Sequence, residues 1–358
     1  MYKINVESLK NGMIIAKNIY DNDGNILLAA GIALRENYIS KLKELRITEV
    51  YIQTDETADI VVEDVIQEQN RLEAKQIVKQ IMVSIKKDTR AFDERILSVV
   101  ESIVEDLLNN PNVMVHLADI RSVDEYTFGH SVNVCVLSVL LGIKMGYNKT
   151  QLKELGIGAL LHDIGKMWVP ESILNKPDIL DEQEFEEIKK HTTFGYDFLH
   201  KIPGVPSISC MVALAHHERF DGSGYPFGKK SYDIHEYARI IAITDVYDAL
   251  TSERIYKKKI RPFEAVEYLV SIGKTQFDEK MVKLFTEFVP VFPMGSVVKT
   301  NLGEKGVVLS VDSSFPTKPT IRILLNKDGS RCVPYQDIDL KKHHGVKIVD
   351  IIENFSIF

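Results

Sequence analysis

With 358 residues, 45% apolar and 27% charged side chains, the chain is long enough for two or three compact units and too apolar for disorder. A formal net charge of −7 excludes bulk nucleic acid as the expected partner, whereas a small phosphate ester needs only a local basic pocket. Cys135, Cys210 and Cys332 are widely spaced and odd in number, which argues against a disulfide framework or a thiolate zinc site and predicts small buried hydrophobes. The opening MYKINVESLKNGMII lacks a basic-then-apolar leader pattern and no run approaches the length of a bilayer span, so a cytoplasmic location is expected.

Residues 1–58 read as a small α+β module. GMIIAKNIY and ILLAAG flank the turn-rich Asp21-Asn22-Asp23-Gly24-Asn25, a hairpin signal, and a helical stretch at 36–45 and the extended EVYI follow. Residues 59–110 are rich in Glu, Lys, Gln, Ile, Val and Leu, and between 60 and 108 contain no Gly or Pro. This predicts long connecting helices whose apolar stripes pack either on their own chain or against a second copy in a homodimer.

From 111 to 290 the apolar periodicity is helical, over 123–146, 151–163, 181–201, 206–218, 238–253 and 262–274, with strand patterning nearly absent. From 291 to 358 the texture changes to β-branched alternation in GSVVKT, GVVLSV, TIRILL and RCVPY, predicting a small all-β domain. The fold class is therefore multidomain and mainly α, a central all-helical domain with a small module on either side. No internal repeat is visible.

The helical stretch carries an unusual set of ionisable residues: His130, the pair His162-Asp163, His191, the pair His216-His217, and Asp245. A lone histidine on an apolar helix is usually a hydrogen-bonded core residue. Five of them with two acids in one domain would be costly to bury unpaired, and metal coordination satisfies them all. Imidazole and carboxylate donors without thiolate suit iron, manganese, nickel, cobalt or zinc better than calcium or magnesium. His162 and Asp163 would point about 100° apart on an ideal helix, so each takes its own metal or Asp163 bridges two.

His162-Asp163-Ile164-Gly165-Lys166 resembles the HDxGK signature of the HD phosphohydrolase superfamily, and HHERFDGSGYP at 216–226 matches HHExxDGxGYP; together they identify a member of the HD-GYP family over residues 111–290, about half of the chain. The resemblance implies metal ligands at His130, His162, Asp163, His191, His216, His217 and Asp245. Family members with a third metal use a Glu one helical turn before the first histidine; Tyr126 stands there and Glu125 is one residue away, so two ions are expected. It further implies catalytic roles for Asp163 and Lys166, the Lys166 ammonium facing a phosphate oxygen as charge builds. Tyr225, Arg254 and Lys257 are implied as substrate contacts, and the 221–226 loop as a neighbour of the substrate and a docking place for a GGDEF-type signalling partner. Glu218, Asp221 and Asp248 are expected to brace loops or pair with an Arg. The implied reaction is hydrolysis of cyclic di-GMP to pGpG and on to GMP with two transition-metal ions, iron or manganese first. The alternatives are another cyclic dinucleotide such as cyclic GMP-AMP, or a module that binds the nucleotide without turnover.

Overall fold

The computed structural model describes residues 1–21, 24–62, 64–85, 92, 94–110, 126–176, 178–252, 259–312, 314–353 and 355. In the N-terminal module, β1 (Tyr2–Asn5) and β2 (Ile14–Ile15) pair antiparallel on either side of β5 (Glu49–Gln53), and β3 (Ile19–Tyr20) forms the expected hairpin with β4 (Ile26–Leu28). Helix α1 (Glu36–Glu44) buries Ile39 and Leu42.

The helical domain follows: α2 (Glu68–Ile85), α3 (Arg95–Asn109), α4 (Tyr126–Lys144), α5 (Lys149–Leu161), α6 (Glu171–Leu174), α7 (Glu182–Lys189), α8 (His191–Leu199), α9 (Ser207–Ala215), α10 (Glu236–Thr251), α11 (Pro262–Gly273) and α12 (Glu279–Phe288). Helices α2 and α3 do not stand apart from it. Ile77, Val78 and Ile81 on one, and Val99, Val100 and Ile103 on the other, enter the same core as Val136, Leu155 and Ile241. The start of α2 is fixed by α3, because the Asp106 carboxylate accepts from the Gln67 backbone N–H (2.9 Å) and the Asn70 side-chain amide (2.7 Å). Within α4, Thr127–Lys144 is long and apolar enough to cross a bilayer, which corrects the reading that no run reaches that length; most of it is buried in the helical core. That burial explains its composition, since a helix surrounded by other helices is apolar all round.

Strands β6 (Val297–Thr300), β7 (Lys305–Ser310), β8 (Thr320–Leu325), β9 (Arg331–Asp339) and β10 (Ile348–Ile351) form one antiparallel sheet in the order β10-β6-β7-β8-β9. Cys135 and Cys210 are buried as expected. Cys332 is only partly buried because it lies on the edge strand β9.

The two small modules share a core: Tyr2, Ile4 and Ile52 pack in one cluster with Val297, Val307, Leu324 and Phe355. Arg322 of β8 is buried between them, donating to Asp59 Oδ1 (2.6 Å), to the Glu56 carbonyl (2.9 Å) and, in a fork, to Asp337. Glu49 of β5 joins this body to the helical domain, holding Lys3 (2.6 Å) on one side and Lys259, which follows α10, on the other. Burial pushes the Glu49 carboxyl up, but the two ammonium groups outweigh it and bring it down to about 2. Because that value lies below the ordinary 4.5, Glu49 contributes stability that is complete above about pH 4.5 and is lost as pH falls toward 2. Glu49→Gln is therefore expected to lower the unfolding midpoint at pH 7, with the gap to wild type narrowing below about pH 4.5 and closing only as pH falls through about 2 in paired denaturation curves. A gap independent of pH would mean that the carboxylate's charge contributes nothing.

Candidate metal centre

Seven predicted residues from five helices and their ends converge. His130 lies within α4 and Asp245 within α10; His162 caps the C-terminus of α5, His216 caps that of α9 with His217 next to it, and His191 opens α8. The reading of 181–201 as one helix is corrected, since α7 stops at Lys189 and α8 begins at His191. The 100° separation of His162 and Asp163 is also corrected. The α-helix ends between them, and Asp163 (φ −98°, ψ 5°) leads into the 3-10 turn Ile164–Trp168, which swings its carboxylate back among the imidazoles. All seven are buried except His217, which is half-buried.

Two glycines permit this convergence. A Cβ on Gly165 would lie 1.8 Å from the His191 carbonyl oxygen and 2.5 Å from the Gly195 nitrogen; a Cβ on Gly224 would lie 2.4 Å from the His217 carbonyl oxygen and 2.3 Å from the Arg219 nitrogen. Each glycine thus rests against the backbone of a candidate ligand, which is the close approach that only hydrogen allows.

Backbone carbonyls set the direction of the imidazoles. His162 Nδ1 is 2.7 Å from the Ala159 oxygen, His191 Nδ1 2.6 Å from that of Ile188, and His216 Nδ1 3.1 Å from that of Ala213. A carbonyl only accepts, so each Nδ1 carries the hydrogen and each neutral ring presents its Nε2 lone pair to the site. The Nε2 atoms of His191 and His216 are 3.4 Å apart, two lone pairs facing each other. His130 repeats the pattern with a carboxylate: Nδ1 donates to Asp248 Oδ2 (2.8 Å), and Nε2 is 3.1 Å from Asp245 Oδ1. Lone pairs aimed at one another and at carboxylates require a cation between them.

The donors form two groups, Asp163–His191–His216–His217 and His130–His162–Asp245, with the donor atoms of each within 4.8 Å of one another. Asp163 faces both. Its Oδ1 is 3.5 Å from His191 Nε2 and 3.7 Å from His216 Nε2, while its Oδ2 is 3.3 Å from His162 Nε2 and 3.9 Å from His130 Nε2. Among the described residues, His162 Nε2 and Asp163 Oδ1 are buried without a hydrogen-bond partner, which a bound metal would remedy. The protonation states agree. Burial pushes His191 down to about 3 and lowers His216 and His217, keeping these rings neutral. Burial opposes ionisation of Asp163 and Asp245, yet Lys166 and the imidazoles around Asp163, and His130 beside Asp245, hold both well below the usual carboxylate range. His130 is raised: burial disfavours its charge, but Asp245 and Asp248 prevail, so a proton stands where a metal would bind. These residues fit a pair of divalent ions.

Lys166, in the 3-10 turn, donates to Asp163 Oδ2 while part of its side chain meets solvent. Tyr225 stacks on His217 with ring centroids 4.7 Å apart at 27°, and its backbone N–H donates to the His217 carbonyl. Tyr225 thus covers one edge of the centre. Arg254, Lys257 and Glu125 lie outside the described residues, as does the side chain of Tyr126.

Residues 112–281 match the HD domain family, and 297–357 match the KOW domain associated with HD domain. Over 266 residues the chain is 36% identical to the cyclic di-GMP phosphodiesterase PA4108 of Pseudomonas aeruginosa, covering 73% of this chain and 64% of that protein. The helical domain belongs to the HD-GYP phosphohydrolases. Within this family, the cyclic di-GMP phosphodiesterase PdeB of Borreliella burgdorferi is 30% identical over 64% of this chain and 62% of its own length. The 3'3'-cGAMP-specific phosphodiesterase 1 of Vibrio cholerae is 38% identical over 48% of this chain and 40% of its own length. The chain thus spans less than two thirds of the length of these relatives. The fold is similar to that of Bd1817, an HDG"Y"P protein from Bdellovibrio bacteriovorus, with a TM-score of 0.51 and 17% identity over 80% of this chain and 98% of that one.

The remaining acids around the HD-GYP centre brace it. Glu218 is buried and accepts from the backbone N–H groups of Phe227 (2.9 Å) and Lys229 (3.0 Å), pinning the loop that carries Tyr225. Asp221 caps its own turn through Ser223. Asp248 was expected to brace a loop or meet an Arg; it instead accepts from His130 and from the Asn133 amide (2.7 Å). Sequence reasoning missed Asn133, whose available signal was its place one helical turn after His130.

Proposed function

We propose that this chain hydrolyses cyclic di-GMP to pGpG and onward to GMP, with His130, His162, Asp163, His191, His216, His217 and Asp245 holding two transition-metal ions, iron or manganese first. The observation that carries this reading is Asp163, whose two carboxylate oxygens face separate groups of inward-pointing donors. When bound, such ions supply a water of lowered pKa and positive charge for the phosphoryl oxygens. Water adds across one phosphodiester link: its oxygen bonds to phosphorus, the P–O3′ bond breaks, and a proton passes to the 3′ oxygen. Asp163 fixes the separation of the two groups. Lys166, held beside Asp163 yet reaching solvent, places its ammonium on a phosphoryl oxygen. Tyr225 positions His217 and offers its face to a base, and Arg254 and Lys257 take the second phosphate. The domain limits 1–58, 59–110, 111–290 and 291–358, the cytoplasmic location and a GGDEF-type partner belong to the same proposal.

A second substrate is favoured by a specific observation, since several Vibrio cholerae relatives are named as 3'3'-cGAMP-specific phosphodiesterases. One assay separates the readings. Metal is counted per chain by elemental analysis, and the same preparation is offered cyclic di-GMP and 3'3'-cGAMP while linear products are followed. About two ions per chain with faster opening of cyclic di-GMP is the expected result. Preference for the hybrid dinucleotide would reassign the substrate, and tight binding of either nucleotide without turnover on a two-metal chain would make the protein a receptor.

A further inference from the structure

We propose that Arg71, on α2, is a positioning residue for the metal ligand His130, acting through Asn133 and Asp248. The inference rests on the metal reading above. Arg71 is buried at 3% exposure. Its Nε and Nη2 donate to both oxygens of Asp64 (2.6 and 2.7 Å), and its Nη1 donates to Asn133 Oδ1 (2.8 Å). Asn133 Nδ2 donates to Asp248 Oδ1 (2.7 Å), and Asp248 Oδ2 accepts from His130 Nδ1 (2.8 Å). Asn133, Asp248 and His130 are each at most 2% exposed, so no solvent competes along the chain.

The polarity of this relay is set at its far end. A guanidinium has five donors and no acceptor, so the Asn133 atom facing Arg71 must be the amide oxygen. That leaves the NH2 group for Asp248. A flipped amide would set its oxygen against the Asp248 carboxylate. With the amide locked, Asp248 has one oxygen satisfied and presents the other to His130 Nδ1–H, which keeps the Nε2 lone pair directed at Asp163 and Asp245. Arg71 therefore fixes both the ring orientation and the tautomer of a ligand 59 positions downstream without touching it.

Arg71 also lines a cleft of about 430 Å³ between the N-terminal module and α2, walled by Tyr20, Lys75 and Phe128 among others. Phe128 is two residues before His130. The relay consequently begins where the N-terminal module meets the helices and ends at the metal centre.

The test compares full-length wild type, Arg71→Lys, Asn133→Ala and the double variant for metal content after dialysis against graded chelator, with unfolding curves recorded in parallel. Arg71→Lys keeps a cation for Asp64 but loses the fork that reaches Asn133, which guards against outright unfolding. Each single variant is expected to hold one of its two ions about tenfold more weakly, and the double variant no more weakly than the weaker single, because both act on one chain of bonds. Ile77→Val, buried on the same helix away from the relay, is expected to lower stability and leave metal affinity unchanged. Folded variants that retain both ions with wild-type affinity, or losses that add in the double variant, would overturn the inference. A wild-type chain that takes up no metal would overturn the metal reading itself, and this inference with it.

Discussion

Asp163→Asn is expected to empty both metal positions, and to slow the proposed cyclic di-GMP hydrolysis by about a thousandfold or more, since water activation and charge stabilisation are lost together. The argument is geometric. Oδ1 faces His191 and His216, and Oδ2 faces His162 and His130, all between 3.3 and 3.9 Å. An amide of the same shape keeps one acceptor oxygen and turns an NH2 toward the other group, where it meets lone pairs already fixed by backbone carbonyls. It also removes the negative charge that the two proposed cations would share. Asp245→Asn touches only the His130–His162 group and is expected to cost one ion, leaving the Asp163 group loaded. Elemental analysis of the two variants decides the matter. If Asp163→Asn retained one full equivalent of metal and Asp245→Asn retained none, the assignment of Asp163 as the bridge would be wrong.

The chemistry of this site is legible in the sequence because its residues lie in contiguous signatures: HDIGK and HHERFDGSGYP place four of the seven donors and their loop glycines in two short segments. His130, His191 and Asp245 stand out as polar residues on apolar or converging helices. What the signatures do not contain is the support around them. Asn133 reads as one polar residue in an apolar helix, and Arg71 as one charge on an amphipathic one. Their meeting across 62 positions leaves no local trace. The same limit applies to the flanking modules. Hairpin and strand patterns identify each by itself, but the burial of Tyr2 against Phe355 and the pairing of Arg322 with Asp59 are contacts between opposite ends of the chain. Helix periodicity likewise carried 151–163 and 181–201 through breaks that exist only because Asp163 and His191 are drawn toward a shared centre.

Gly165→Ala is expected to destabilise the chain by about 3 kcal/mol and to loosen the metal held by the Asp163 group, a large effect for a single methyl. The φ of Gly165 is not the reason; the obstruction is. The new Cβ would sit 1.8 Å from the His191 carbonyl oxygen and 2.5 Å from the Gly195 nitrogen, at the first turn of α8. Both are backbone atoms, which cannot rotate aside as a side chain would. Relief requires α8 to move off the 3-10 turn and take His191 with it, away from Asp163 and His216. Gly224→Ala meets the same kind of wall at the His217 carbonyl and the Arg219 nitrogen, and is expected to displace His217 together with the Tyr225 ring stacked on it. Gly222→Ala provides the contrast. Its φ of +84° makes alanine cost about 1 kcal/mol, but the atoms in the way belong to the flexible Lys230 side chain and no candidate ligand is attached to them. Unfolding curves and metal counts on the three variants separate these cases: stability should fall in all, while metal should be lost at Gly165 and Gly224 only. Full metal content in Gly165→Ala would show that His191 is held in place by something other than the packing of α8 against this turn.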